Sequence, residues 1–261
     1  MPHPYTHRYS ITAANMNKNY RLNADAILLY YQDCWARYMS CQHVAAFDIV
    51  KEQKMWVVTE AYTQMEPGDN CWSEEMDFTV WNSEVTPTRL YSDFRVSRAD
   101  NGALIAQGYA CWTLLNTVTK RIERADDLLP QLTIIPDLAL ETHKKRRMPA
   151  GNQVIAEVKH KVNRLDLDFN GHVNNRSYLS IAMLTAPDDF LNHNTPRYFC
   201  VHWLRETYLD ETIHCVLQDV AEEPMSYLHT LSKNDGTVVA QILSHWQPAI
   251  EEDIATHLQR Q

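Results

Sequence analysis

The chain switches between two hydrophobic periods, and it does so twice. From Asn23 onward, Ile27, Tyr30, Tyr31, Cys34, Trp35, Tyr38 and Met39 recur at spacings of three and four, which predicts a helix with a buried apolar face. Asn23 is placed to cap it, and Asp25 falls in the first turn, where the helix dipole favours a carboxylate. The period then drops to two through MWVVTEAY (55–62), CWSEEMDFTVW (71–81), RLYSDFRV (89–96) and ALIAQGYACWTLLNTV (103–118). These segments read as antiparallel strands. Turn chemistry separates them at Glu66-Pro67-Gly68-Asp69, Thr86-Pro87 and Asp100-Asn101-Gly102.

The second round begins after residue 150. NQVIAEVKHKVN alternates Val154, Ala156, Val158 and Val162 with Glu157, Lys159 and Lys161, a half-buried strand, and NNRSYLSIAMLTA reads as a helix stopped by Pro187. Strands follow in RYFCVHWLRE, TIHCVLQDV, MSYLHTLSK and TVVAQILSHW. The last strand of each round carries a tryptophan, Trp112 and Trp246. One long helix followed by a run of antiparallel strands packs as a helix wrapped by a curved sheet. The expected architecture is therefore α+β with two tandem copies of that unit, over residues 5–125 and 151–249, joined by a connector at 126–150. At 261 residues with 45% hydrophobic side chains, the chain is long enough to bury a core in each.

Composition removes several functions. The six glycines, at 68, 102, 108, 151, 171 and 236, permit neither the dinucleotide nor the P-loop phosphate cradle, and the G-x-S-x-G serine elbow is absent. The net charge of −9 opposes nucleic acid. No apolar run reaches the roughly 18 residues of a membrane span. The six cysteines form no C-x-x-C pair and follow no signal-like leader, so free thiols in a reducing cytoplasm are expected. Cys34 and Cys41 read as core positions, no metal site is expected, and no cofactor is called for. Against the acidic background, residues 141–164 hold seven basic and two acidic side chains, a local +5, with Lys144, Lys145, Arg146 and Arg147 in one run. That run is either a solvated connector or a docking patch for an acidic partner.

Two polar clusters interrupt the apolar pattern. LDLDFNGHVNNRSYL gathers Asp166, Asp168, Asn170, His172, Asn174 and Asn175 ahead of the second helix, where capping and function are both open readings. In VHWLRETYLDET, strand alternation places Glu206 with Leu204 and Tyr208 on one face, which allows a partly buried acid.

These strings carry a resemblance. LDLDFNGHVNNRSYL followed by WLRET resembles the C-terminal half of the plant and bacterial acyl-acyl-carrier-protein thioesterases, and YTHRYSI, RLNADAILLYYQD, WVVTEAY and PGDNCW are similar to their front half. The likeness spans roughly residues 5–247. It implies two tandem hot-dog domains, the first holding the acyl chain and the second the chemistry. It places the catalytic positions on Asp168, Asn170, His172 and Glu206. Some relatives have a cysteine after the glutamate, whereas this chain has Thr207, so a thiol nucleophile is excluded there and attack by water is expected.

The activity that the resemblance implies is hydrolysis of fatty acyl-acyl carrier protein, with acyl carrier protein as partner. Glu206 and His172 would activate water, while Asn170 and the amides opening the second helix would face the oxyanion. Trp35, Met39, Trp56, Val57 and Trp72 are either core or the lining of an acyl tunnel. The basic run is the expected carrier-protein dock. An acyl-CoA thioesterase, a silent acyl-binding module and a hot-dog dehydratase are the competing readings. Monomer and homodimer are both open.

Overall fold

The computed structural model describes residues 3–17, 22–66, 74–143 and 147–249. In chain order the elements are β1 (Tyr5–Ser10), α1 (Ala24–Cys41), α2 (Ala46–Ile49), β2 (Lys54–Met65), β3 (Glu75–Val85), β4 (Leu90–Arg98) and β5 (Leu104–Asn116). After the connector come β6 (Val154–Lys161), α3 (Asn175–Met183), α4 (Asp188–His193), β7 (Asn194–Trp203), β8 (Thr212–Asp219), β9 (Ser226–Lys233) and β10 (Val238–Pro248).

The strands form one ten-stranded sheet rather than two, in the order β1-β3-β4-β5-β2-β7-β10-β9-β8-β6. All its strand pairs are antiparallel. Read outward from the β2–β7 joint, the order is the same on both sides: the fourth strand after the helix, then the third, the second, and an edge strand from ahead of the helix. Among the described residues, only the β2–β7 pairing, Glu60↔His202 to Gln64↔Tyr198, joins the two halves of the sheet.

One face of the sheet packs on the helices. Tyr31, Trp35 and Met39 of α1 meet Phe78, Phe94 and Trp112, and Trp35 stacks on Trp112 at 3.7 Å and 7°. Such an aromatic pair contributes about 1 kcal/mol beyond the area it buries. Asp25 occupies the first turn of α1 as expected, but it does more than meet the dipole. Its carboxylate accepts from Ser180 Oγ at 2.9 Å and lies 3.3 Å from Arg176 Nε, tying α1 to α3. Gly108 fits a central strand because a Cβ there would collide with the Tyr62 carbonyl and the Phe94 ring.

The other face is covered by the connector. Leu140 and Met148 pack against a buried cluster that includes Tyr62, Tyr109, Tyr198 and Cys200. The fully buried Asp93 accepts from Ala139 N at 2.8 Å and lies 2.7 Å from His143 Nε2. Residues 137–143 are thus anchored to the sheet, which a purely solvated connector would not be.

Several expectations need correction. The second helix is not long: α3 has nine residues against eighteen in α1, because Thr185 closes its end through Ala182 O and Pro187 starts α4 as a separate helix. Asn23 holds the cap position without a side-chain capping bond. Cys34 is buried, but Cys41, in the last turn, is exposed. Val154 is exposed because β6 is an edge strand. Strand β7 ends at Trp203, so Glu206 lies in the loop beyond it and not between strands.

Candidate active site

The polar string ahead of α3 folds into a tight turn. Gly171 takes φ +78°, in the left-handed region that favours glycine. Asp168 Oδ1 accepts from the backbone N–H of Asn170 at 2.8 Å and of His172 at 3.3 Å, and Asp168 N–H donates to the His172 carbonyl at 2.8 Å. Asn174 caps α3, its side-chain oxygen accepting from Arg176 N–H at 2.9 Å. Capping and site formation are therefore not alternatives, because Asp168 and Asn174 shape the loop that presents Asn170 and His172.

The loop after β7 is fastened to this turn. His172 and Tyr208 are antiparallel bridge partners, and Val173 N–H donates to the Thr207 carbonyl at 2.9 Å. The fastening brings His172 Nδ1 to 3.7 Å from Glu206 Oε1. The Tyr208 hydroxyl donates to the other carboxylate oxygen at 2.7 Å, and this bond, followed by partial burial, raises the Tyr208 phenol above its usual value. The Tyr208 ring lies edge-on to the imidazole at 5.0 Å. Thr207, between Glu206 and Tyr208, is fully buried: it accepts from Tyr178 at 3.0 Å, and burial pushes the Tyr178 phenol up to about 12.

Both loops border one cleft of about 610 Å³ at the seam between the two halves of the sheet. Asp168, Asn170, His172 and Glu206 all line it. The opposite wall comes from β2, with Trp56 and Val57, and two cations, Lys120 and Arg205, stand at its edge. The Glu206 side chain is 35% exposed and that of His172 20%, so the pair faces the cleft with access to water.

The remaining candidates divide. Trp35 and Met39 are 5% and 0% exposed in the core and do not border the cleft, although Trp35 packs edge-on against Trp56 at 6.1 Å. Trp72 lies outside the described residues, as do Lys144, Lys145 and Arg146, while Arg147 is exposed on the connector. Tyr208, Lys120 and Arg205 were missed as site residues. Tyr208 had a legible signal, since it stands two positions from Glu206, whereas Lys120 reaches the cleft only through tertiary folding. Among the described residues, the cleft holds no cluster of three metal-ligating side chains. Glu60, Cys200 and His202, on the face of the sheet away from α1, form one.

Residues 151–248 match the family model described as the acyl-ACP thioesterase C-terminal domain. A chloroplastic acyl-[acyl-carrier-protein] hydrolase of Cuphea viscosissima is 23% identical over 209 residues, which are 76% of this chain and 49% of that protein. A chloroplastic palmitoyl-acyl carrier protein thioesterase of Gossypium hirsutum is 21% identical over 77% of this chain and 52% of that one. The chain thus spans about half the length of the curated relatives it matches.

Among solved structures, a 12:0-ACP thioesterase from Umbellularia californica superposes with a TM-score of 0.83 at 18% identity, covering 94% of this chain and 97% of that one. An acyl-ACP thioesterase from Bacteroides thetaiotaomicron does so at 0.81 and 18%, covering 93% and 97%. The long antiparallel sheet with its few helices is a hot-dog-like α+β fold. Residues 151–248 thus match the acyl-ACP thioesterase C-terminal domain family, and the chain as a whole is similar in sequence and fold to acyl-acyl-carrier-protein thioesterases.

Proposed function

We propose that this protein hydrolyses fatty acyl-acyl carrier protein, releasing a free fatty acid and the carrier thiol. The observation that carries the reading is the convergence of His172 and Glu206, 3.7 Å apart, on a cleft that Asp168 and Asn170 also line. The activity named for the Cuphea and Gossypium relatives supports it.

Water held between the imidazole and the carboxylate attacks the thioester carbonyl, and Glu206 accepts its proton. Asn170 and the N-terminus of α3, where Asn175 lines the cleft, face the developing oxyanion. When the C–S bond breaks, the proton passes from Glu206 to the departing sulfur. A thiol with a pKa of about 8.5 leaves without prior protonation, so the site needs no serine triad. Asp168 holds the loop, and Tyr208 fixes the carboxylate.

The chain is built of two tandem hot-dog units, residues 5–125 and 151–249, with 126–150 between them, a reading that the repeated strand order on the two sides of the β2–β7 joint supports. Trp56 and Val57 contact the acyl chain, and Trp35 and Met39 back that wall from the core. Lys144, Lys145, Arg146 and Arg147 receive the acidic carrier protein. Neutralising all four raises KM for carrier-bound substrate and spares short thioester mimics; an unchanged KM removes the dock. The free cysteines of the described residues fit a reducing compartment such as the cytoplasm.

The test is thiol release from a panel of acyl carrier proteins, with the matching acyl-CoAs in parallel. Turnover of the carrier-bound series supports the reading. Hydrolysis confined to acyl-CoA moves the substrate class, and release from neither leaves an acyl-binding module.

A further inference from the structure

The β2–β7 joint carries a second group of reactive side chains. Glu60 and His202 are direct cross-strand partners, and Cys200 precedes His202 by two residues. Strand alternation puts all three on one face. Ala61, Phe199 and Val201 face the helices, so Glu60, Cys200 and His202 face away from α1. They are 5%, 0% and 6% exposed. His202 Nε2 lies 3.8 Å from Cys200 Sγ and 3.8 Å from Glu60 Oε2, and the three ligand atoms lie within 4.8 Å of one another.

We propose that Glu60, Cys200 and His202 bind a divalent transition-metal ion, zinc by preference, across the joint between the two halves of the sheet. The donor set selects the metal, because thiolate and imidazole suit zinc and disfavour magnesium and calcium, which take oxygen ligands. Charge also balances. Binding releases the Cys200 proton to solvent, and a dication with one thiolate, one carboxylate and a neutral imidazole sums to zero, as a buried centre requires.

Spacing is close to what the ion needs. Metal–sulfur and metal–nitrogen bonds of about 2.3 and 2.0 Å in a tetrahedral site put neighbouring donors roughly 3.3–3.6 Å apart, so the two His202 pairs, at 3.8 Å, close by a few tenths of an ångström, and the Cys200–Glu60 pair, within 4.8 Å, closes by a side-chain rotation of up to about 1.3 Å. The ligands stand on paired strands, and the Tyr109 hydroxyl donates to Glu60 Oε1 at 3.1 Å, leaving Oε2 directed at His202. Such an outer hydrogen bond orients a ligating carboxylate. A cleft of about 620 Å³ bordered by Tyr62, Tyr109 and the connector residues Ala139–Thr142 lies on the same face, and its Tyr109 is the residue that hydrogen-bonds Glu60.

Because β2–β7 joins the halves of the sheet, and does so alone among the described residues, the ion acts as a clamp on the fold, separate from the cleft that holds His172. The experiment uses the untagged 261-residue chain, stripped with a chelator and titrated with Zn²⁺ and Co²⁺. One equivalent binds per chain, Co²⁺ gives a thiolate-to-cobalt charge-transfer band with intense tetrahedral d–d bands, and Tm rises by roughly 5–10 °C at saturating zinc. Cys200→Ser abolishes the charge-transfer band, and His202→Gln and Glu60→Gln each weaken binding at least about tenfold. Absence of the cobalt band in the unmutated protein overturns the proposal whether or not the variants fold. Its persistence in Cys200→Ser, with circular dichroism unchanged, overturns it as well.

Discussion

His172 Nδ1 and Glu206 Oε1 stand 3.7 Å apart although 34 positions separate them in sequence. Neither residue is on a helix or strand; the two loops meet through the His172↔Tyr208 bridge and the Val173–Thr207 hydrogen bond. The distance is thus set by backbone pairing rather than by burial of the carboxylate. That pairing leaves a water-accessible acid and base side by side.

Tyr208→Phe keeps the ring against His172 and removes only the 2.7 Å hydrogen bond to Glu206. A bond to a charged group contributes about 1.5–3 kcal/mol when buried and less when half-exposed as here. The expected result is a fall in kcat of up to about tenfold with KM unchanged. Steady-state kinetics on one acyl carrier protein substrate checks it, and a rise in KM alone would assign Tyr208 to binding instead.

Thr207 is fully buried, accepts from Tyr178 and does not line the cleft. Thr207→Cys introduces no nucleophile: the variant keeps its kcat, and iodoacetamide does not inactivate it faster than the parent. Rapid inactivation protected by substrate would show that position 207 reaches the reacting carbonyl.

His229 is fully buried between Thr185 Oγ1 and Ser244 Oγ, and burial lowers its pKa from 6.5 to about 4. The unfolded chain therefore binds the proton more readily than the folded one. The corresponding stability is present above about pH 6.5 and is lost as pH falls toward 4, up to about 3 kcal/mol in all. Urea unfolding at pH 7 and pH 4.5 should show a loss about 2 kcal/mol smaller in His229→Gln than in the parent. Equal losses would place the acid sensitivity elsewhere.

Most strands and both main helices were legible because alternation and the three-four spacing report burial directly. What the local pattern did not contain was the joint. A single sheet, rather than two, depends on β2 pairing with β7 across roughly 140 residues, and no local period encodes that partner. The placement of Glu206 failed for a related reason: the apolar run WLRE continues the alternation of β7, but the chain leaves the ladder after Trp203. The Asp168–His172 turn was legible in composition, since Asp, Asn and Gly mark both turns and sites. Its dual use was not, because one carboxylate shaping the backbone for two neighbours is a property of three dimensions. Trp35 and Met39 show the limit of an aromatic stripe, which has the same spacing whether it lines a tunnel or fills a core.

The central claim is tested most directly by single-turnover thiol release from a fatty acyl-acyl carrier protein by the unmutated chain, Glu206→Gln and His172→Ala, each verified as folded by its Tm. The account predicts rapid release by the unmutated protein and a loss of at least about 100-fold in each variant. Release at the unmutated rate by either variant would contradict it.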